Sequence, residues 1–329
     1  MDMKRLFSLC AIALAVTLAA PVVQADVKTR EKTTFALEGF LGGVVRLFGG
    51  RAAREGIEST VAVKGNRKSS INNTTGQIVD LTEEKVYNLD VRRREYRVTT
   101  FAEMRAQFEK AKADAAKQAE GAKPEDKEQM QQAARELEFD VEVRETGQRR
   151  DMLGHSTREV VMTITGREKG STLEQGGGFV LTNTMWLAPR IAALDEVMAF
   201  ELKFVQAVYG ESFIGDMQQM AGMMAMYPAF TGMASRMQEE GRKLEGTSLS
   251  TTMTFEGVKS AEQMKAAASE QQSSGGGGIG GMLGRRMMGN RGEPQARAKI
   301  LTTTHEMLSI DTTVADADVA VPANYRLRD

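Results

Sequence analysis

The chain has 329 residues, and its 43 Lys and Arg nearly balance its 44 Asp and Glu, giving a formal net charge of −1. This balance argues against a nucleic-acid-binding protein, which needs a basic surface. The single cysteine, Cys10, lies in an apolar N-terminal segment, so the chain after it offers no cysteine for disulfides or thiolate metal sites.

The first 25 residues have the composition of a secretory signal peptide. Lys4 and Arg5 form a short positive region, and the apolar run Leu6–Val23 follows it. Small residues end this run, which predicts cleavage after Ala25 and export to the periplasm. A membrane anchor is the alternative, but about 18 apolar residues that include Pro21 are marginal for a span that needs roughly 20.

Alternating apolar and polar residues predict strands in the next part of the chain. Lys28–Phe35 and Gly56–Lys64 alternate with period two, which is typical of strands that are buried on one side. Between them, the apolar run Phe40–Phe48 is flanked by glycines and predicts either a short amphipathic helix or a mobile flap. Asn72 and Asn73 predict a turn.

The segment Thr75–Arg105 predicts an antiparallel meander that leads into a helix. Two sets of alternating residues mark the strand faces: Tyr87, Leu89 and Val91, then Tyr96, Val98 and Thr100. Three positions are interpreted as breaks between the strands: Gly76, Asn88-Leu89-Asp90 and Arg92-Arg93-Arg94. At the end of the meander, Thr100 and Glu103 form the pattern of a capping box.

Residues 102–137 and 191–244 are predicted helical insertions in the sheet. The first is rich in Ala, Lys, Glu and Gln, with a break before Pro124. This composition predicts two polar helices, either a solvated insertion or a functional lid. The second begins with the helix Ile191–Tyr209, which Gly210 is expected to end. Its apolar stripe is predicted to contain Leu194, Met198, Leu202, Val205 and Tyr209.

Methionines crowd the segment Asp216–Leu244, which is predicted to be helical. Met217, Met220 and Met224 have the i, i+3, i+7 spacing of an ordinary apolar stripe, so core packing is one interpretation. Methionine also adapts to irregular partners such as acyl chains, and its thioether is a ligand for Cu(I). Lipid or protein contact and a copper site therefore stay open as alternatives.

The strands and the helical insertions belong to one predicted domain, residues 26–265. Residues 266–297 are rich in Gly, Ser and Gln and predict a flexible linker. Residues 298–329 are expected to complete the sheet with a last strand and a tail. The remaining predicted strands are Phe139–Arg144, Ser156–Thr165, Phe179–Leu187, Thr247–Phe255 and Ile300–Thr312.

The sequence contains no recognisable catalytic or metal-binding pattern. His155 and His305 are far apart in the chain, and a metal site needs several converging ligands. No G-x-S-x-G element is present, and the glycine clusters lack the Lys of a phosphate loop. We therefore expect a protein that is not an enzyme and has no cofactor or metal.

Three parts of the chain together resemble a family of exported bacterial proteins. They are the run Gly76–Arg105, the N-terminal apolar segment and the tail Val321-Pro322-Ala323-Asn324-Tyr325. The family lies within the LolA-like group, the periplasmic carriers of outer-membrane lipoproteins. The resemblance implies a strongly curved antiparallel sheet, a half-barrel, with helices packed on its concave face. The better-known members of the group bind acyl chains or lipoproteins in that cavity.

These patterns and the resemblance predict an α+β protein with a half-barrel sheet. Its expected function is that of a periplasmic binding or carrier protein for an apolar small molecule, such as a lipid, or for a lipidated protein, with peripheral envelope contact and no nucleic acid. The alternative is a structural or assembly factor of the cell envelope that acts through protein contacts. The residues predicted to contact the ligand are Met217, Met220, Met224, Leu194 and Met198.

Overall fold

The computed structural model describes residues 26–38, 55–121, 137–224, 228–266 and 296–328. In this part of the chain, the protein is α+β, with one open twelve-stranded mixed sheet and accompanying helices. The predicted signal segment, the run Phe40–Phe48, the second half of the first helical insertion and nearly all of the predicted linker lie outside the described residues.

The strands occupy most of the described chain. In chain order they are β1 Val27–Leu37, β2 Ile57–Lys64, β3 Arg67–Asn72, β4 Thr75–Asp80, β5 Lys85–Asp90, β6 Glu95–Thr100, β7 Leu137–Met152, β8 His155–Glu168, β9 Gly178–Ala188, β10 Thr247–Val258, β11 Arg297–Asp311 and β12 Arg326–Leu327. The helices are α1 Phe101–Gly121, α2 Leu173–Gly176, α3 Ala192–Met224, α4 Pro228–Glu240 and α5, residues 261–266. Two 3₁₀ turns complete the set, Gly241–Leu244 and Asp316–Val319.

The strand order across the sheet is β12-β6-β5-β4-β3-β2-β1-β11-β10-β9-β8-β7. Every pairing from β6 to β7 is antiparallel, so the expected antiparallel sheet forms over eleven strands. The short β12 runs parallel to β6, with Arg326 beside Glu95, and makes the sheet mixed. Strand β11 lies between β1 and β10 and thereby joins the first strands of the chain to the later ones.

The meander β4–β6 forms as predicted, and the predicted break at Arg92-Arg93-Arg94 is a turn, but the other two predicted breaks are not. The chain turns at residues 81–84 and 91–94, while Gly76 and Asn88-Leu89-Asp90 lie inside strands. An aspartate before each turn explains these positions. The Asp80 carboxylate accepts hydrogen bonds from the backbone N–H groups of the next turn, and Asp90 does the same in the second turn.

The predicted capping box begins α1. The Glu103 N–H donates to the Thr100 hydroxyl at 3.2 Å, and the Thr100 N–H donates to the Glu103 carboxylate at 2.7 Å. These reciprocal bonds satisfy two backbone donors that a helix N-terminus would otherwise leave unpaired. The helix therefore starts directly where β6 ends.

Helix α3 packs on one face of the sheet, which we call the helix side. This face carries Val27, which pairs with Val63, and Val79, which pairs with Val86. All four are buried in one cluster with Phe101 and α3. Phe200 and Val208 of α3 are 1% and 0% exposed and lie at its centre. The other α3 residues that pack there are Ala193, Leu194, Val197, Phe204, Ala207 and Tyr209.

Helix α4 packs on the same side, at the other end of the sheet. Directly paired residues in neighbouring strands have their side chains on the same face of the sheet, so the pairing shows which residues of the central strands lie on the helix side. Thr33 pairs with His305, His305 with Thr251, Thr251 with Met185 and Met185 with Val160. Met233 and Met237 of α4 pack against the buried cluster that contains Val141, Val143, Val160 and Leu187.

The C-terminal segment covers part of the opposite face, the outer side, over β1–β3. Val314 and Val319 pack on the buried Ala62 of β2. The Lys28 ammonium forms an ion pair with Asp318 at 3.1 Å, and the Ser69 hydroxyl donates to the Asp318 carbonyl at 2.6 Å. The tail then joins β6 as β12. Partly buried threonines face the outer side on the central strands: Thr182, Thr184, Thr252, Thr254, Thr302 and Thr304.

Candidate binding surface on the helix side of the sheet

The structure brings together only some of the residues predicted to contact a ligand. Leu194 is partly buried and packs between α3 and the sheet. Met198 is 64% exposed and belongs to no core cluster of the described residues. The side chains of Met217, Met220 and Met224 lie outside the described part of the chain, so their proposed contacts stay predictions.

The predicted apolar stripe of α3 is only partly correct. Leu194 and Tyr209 pack against the core cluster, but Met198 and Leu202 are exposed. The residues that face the sheet include the buried Phe200 and Val208 and the partly buried Val197 and Phe204, which recur at i, i+3, i+7 and i+11. Apolar residues lie all around this helix, so their spacing alone could not choose the side that faces the sheet. Gly210 interrupts the helix, as predicted. Its backbone is not helical, with φ 64° and ψ −165°, and it separates the two helical segments of α3.

Part of the predicted stripe forms an exposed apolar row beside the buried face. Leu194, Met198 and Leu202 lie four residues apart, and side chains at this spacing are neighbours on one helix face. Leu194 packs against the cluster of Leu249 and Met307 on β10 and β11. Further along the row, Met198 and Leu202 are 64% and 59% exposed. The row therefore starts over the central strands and becomes open to solvent.

Five phenylalanines form an aromatic rim along one end of the helix side: Phe35, Phe139, Phe179, Phe230 and Phe255. The Phe179 ring lies 5.6 Å from Phe255 and 6.2 Å from Phe139, measured between ring centroids. Phe139 lies 5.5 Å from Phe230 of α4. Phe35, at the β1 end, is 47% exposed. Apart from Phe230, the rim residues lie near strand ends, at one end of the sheet.

A glycine on β8 makes room for this rim. Gly166 pairs with Phe179 on one side and with Phe139 on the other. A Cβ atom at Gly166 would lie 2.4 Å from the Phe179 ring, which is closer than any real contact. The absence of a side chain therefore lets the two rings approach each other over β8.

A polar cluster lies between the rim and the buried core of the helix side. It consists of Thr29, Glu31, Thr33 and His305, on β1 and β11. The Thr29 hydroxyl donates to one Glu31 carboxylate oxygen at 2.7 Å, and His305 Nε2 lies 3.8 Å from the other oxygen. The Thr33 hydroxyl lies 3.3 Å from His305 Nδ1. The Glu31 side chain is 21% exposed and that of His305 is 40% exposed, so solvent or a ligand can reach both.

Asn183 adds a buried acceptor to the same side. It lies on β9, pairs with Met253 of β10 and Met162 of β8, and so faces the helix side. Its side-chain oxygen is buried and has no hydrogen-bond partner among the described residues. A buried polar atom without a partner is costly and is found at sites where a ligand or a water completes the bonding.

The outer side carries a cavity of about 520 Å³ that we do not assign to ligand binding. Its lining includes Arg167, Glu138 and Thr172 near the short α2. Arg167 already donates to Asp140 at 2.7 Å and to Glu138 at 2.8 Å. The bond to Asp140 is the main cause that raises the pKa of Arg167. The guanidinium is therefore neutralised by the protein itself.

Two further properties of the described residues concern metal ions and membranes. No three His, Cys, Asp or Glu side chains in this part of the chain converge to hold a metal ion. No helix within the described ranges is long and apolar enough to cross a membrane.

Comparison with protein-family models finds no match to the chain, and comparison with curated proteins finds none either.

The polar cluster and the rim were not singled out from the sequence. His305 was interpreted as an ordinary strand residue because no second ligand lies near it in the chain. Its partner Thr33 is 272 positions away. A signal for the rim exists in the period-two alternation of β1, which places Thr33 and Phe35 on one face. That signal could not show which later strands lie beside β1.

Proposed function

We propose that the protein is a non-enzymatic periplasmic binding or carrier protein for an apolar ligand, a lipid or a lipidated protein. The ligand lies on the helix side, between the exposed row of α3 and the aromatic rim. The sheet curves as a half-barrel with the helix side concave, as the resemblance to the LolA-like group implies. The chain reaches the periplasm through cleavage after Ala25.

Exposed apolar side chains on the helix side carry this proposal. Phe35, Met198 and Leu202 are each about half exposed or more. Burying one large apolar side chain is worth roughly 1.5–3 kcal/mol, so leaving three of them open to water is unfavourable unless something covers them. The polar outer side of the same strands, with its threonines, contrasts with this face.

The test is binding of the uncharged fluorophore N-phenyl-1-naphthylamine to the full chain. We expect saturable fluorescence enhancement with the parent protein. Phe35→Ser removes about half of a phenylalanine contact, roughly 1 kcal/mol, so the dissociation constant should rise about fivefold. Leu327→Ser is the matched control, because Leu327 is 57% exposed on β12, at the edge of the sheet beyond β6. It should leave binding unchanged.

Three outcomes would contradict the proposal: no probe binding by the parent, equal losses in both variants, or no effect of Phe35→Ser. Circular dichroism establishes that each variant keeps the parent fold. A folded parent that binds no apolar probe would favour the structural or assembly-factor role, in which the same apolar side chains contact another protein.

A further inference from the structure

The polar cluster of Thr29, Glu31, Thr33 and His305 contains one carboxylate, that of Glu31. One oxygen of Glu31 accepts from Thr29, and the other has only His305 nearby, at 3.8 Å. Among the described residues, no Lys or Arg forms an ion pair with Glu31. The side chain of His305 is 40% exposed, and its Nδ1 atom is engaged by Thr33. The cluster therefore has a carboxylate oxygen that faces the open part of the helix side.

Two cations on the helix side are already paired with other carboxylates. Lys68 of β3 is paired with Glu201 of α3. Arg158 of β8 forms an ion pair with Glu145 at 2.7 Å. Each of these two cations is matched by its own carboxylate, so neither is available to neutralise Glu31.

Asn183 supplies a second hydrogen-bond acceptor on the helix side. Its buried oxygen accepts no hydrogen bond from the described residues. It lies in the cross-strand row that runs from Phe35 through Thr303 and Met253. The neighbours in this row, Met253 and Met162, cannot donate a hydrogen bond. The Asn183 oxygen thus requires a donor from outside the described residues, while Glu31 accepts from Thr29 and keeps a partly exposed carboxylate for a further donor.

The polar cluster also lies next to the aromatic rim, which we propose binds an apolar chain. Thr33 and Phe35 are two residues apart on one face of β1, which separates them by about 7 Å. From β1 the sheet continues through β11, β10, β9 and β8 to β7, where Phe139 lies. Five strand spacings of about 4.8 Å amount to about 24 Å, which is comparable to an extended long acyl chain. A polar end at Glu31 would leave the tail free to follow the aromatic rim.

We propose that the helix side binds a single-chain amphiphile with a positively charged, hydrogen-bond-donating amine head, and that Glu31 receives the amine. This inference rests on the proposed function. The ammonium group donates to the Glu31 carboxylate, Thr29 holds that carboxylate in place, and the apolar chain lies along the rim. A carboxylate head would instead meet the negative charge of Glu31, so a free fatty acid is disfavoured.

The experiment compares dodecylamine with dodecanoate, two probes that share a chain length and differ in the charge of the head. Their binding to the full chain is measured by isothermal titration calorimetry below the micelle concentration. The parent should bind dodecylamine more tightly. Glu31→Gln removes one charge-assisted hydrogen bond and should weaken dodecylamine binding about tenfold while dodecanoate binding stays equal or improves. Glu58→Gln is the matched control, because Glu58 pairs with Arg30 on the outer side; it should change neither affinity.

The outcomes separate this inference from the proposed function. If the parent binds both probes equally, or if Glu31→Gln leaves dodecylamine binding unchanged while Phe35→Ser weakens both probes, the head-group assignment is wrong and the carrier function stands. If the parent binds neither probe nor N-phenyl-1-naphthylamine, both are wrong. Equal effects of Glu58→Gln and Glu31→Gln would also overturn the assignment, because they would indicate a general effect of net charge.

Discussion

Phe200→Ala should destabilise the protein severely, because Phe200 holds α3 on the sheet. Its side chain is 1% exposed and lies in the cluster of Val27, Val63, Val79 and Val86. Truncating a fully buried phenylalanine removes its transfer free energy and leaves a cavity, at a cost of about 3–5 kcal/mol. Leu202→Ala, on the same helix, is the control. Leu202 is 59% exposed, so its truncation should cost within about 0.5 kcal/mol.

Urea unfolding followed by circular dichroism checks this prediction. The unfolding midpoint should fall sharply for Phe200→Ala and stay near the parent value for Leu202→Ala, with similar slopes for all three proteins. The comparison tests which face of α3 packs on the sheet, since the residue spacing alone had placed Leu202 on the buried stripe. A large loss for Leu202→Ala together with a small loss for Phe200→Ala would refute the packing described here.

Three further changes have defined expectations. Asn183→Leu should raise the free energy of unfolding by about 1 kcal/mol, because it removes an unsatisfied buried oxygen. Lower stability of this variant in urea would contradict the expectation. Burial opposes ionisation of the Asp80 carboxyl, but the Glu83 N–H, the Arg67 guanidinium and the Thr82 N–H outweigh it and lower its pKa. The Asp80 carboxylate thus stabilises the fold above its unfolded pKa of about 3.9, and this effect is lost as the pH falls through the lower folded pKa. Asp80→Asn should therefore lower the free energy of unfolding at pH 7 and approach the parent value in acid. A difference in urea unfolding that does not depend on pH would argue against this. Arg94 has φ 56°, a backbone conformation that glycine adopts without strain, so Arg94→Gly should raise the free energy of unfolding by about 0.5–1 kcal/mol and with it the thermal midpoint. Arg93→Gly, in the same turn, should lower the midpoint. Equal effects of the two changes would be inconsistent with backbone strain at Arg94.

The strands of this protein could be predicted from its sequence because each covers a half-buried sheet. Period-two alternation depends only on neighbouring residues, and it located β1, β2 and β4–β6 to within a few residues. The capping box of Thr100 and Glu103 is equally local, since both members lie within one turn. The hairpin turns were misplaced where glycine and asparagine were taken as breaks, because the side chains of Asp80 and Asp90 define the turns instead.

The face that α3 presents to the sheet could not be read from the sequence. Leu194 lies on the predicted stripe and does pack on the sheet, but Met198 and Leu202 lie on the same stripe and are exposed. A helix with apolar residues on all sides has several equally apolar stripes. Only the valines of β1, β2, β4 and β5, which α3 must cover, select the stripe that contains Phe200.

The sequence alone therefore determined most of the strand and helix segments, although it did not predict β3 and placed two breaks inside β4 and β5. Tertiary structure decided which strands are neighbours, because pairing β11 with β1 joins segments that are about 270 positions apart, with Thr33 and His305 272 positions from each other. That pairing brings Glu31 beside His305 and places the polar cluster next to Phe35. Hydrogen bonds between distant strands leave no local pattern in the chain, so the candidate binding surface exists only in the folded sheet.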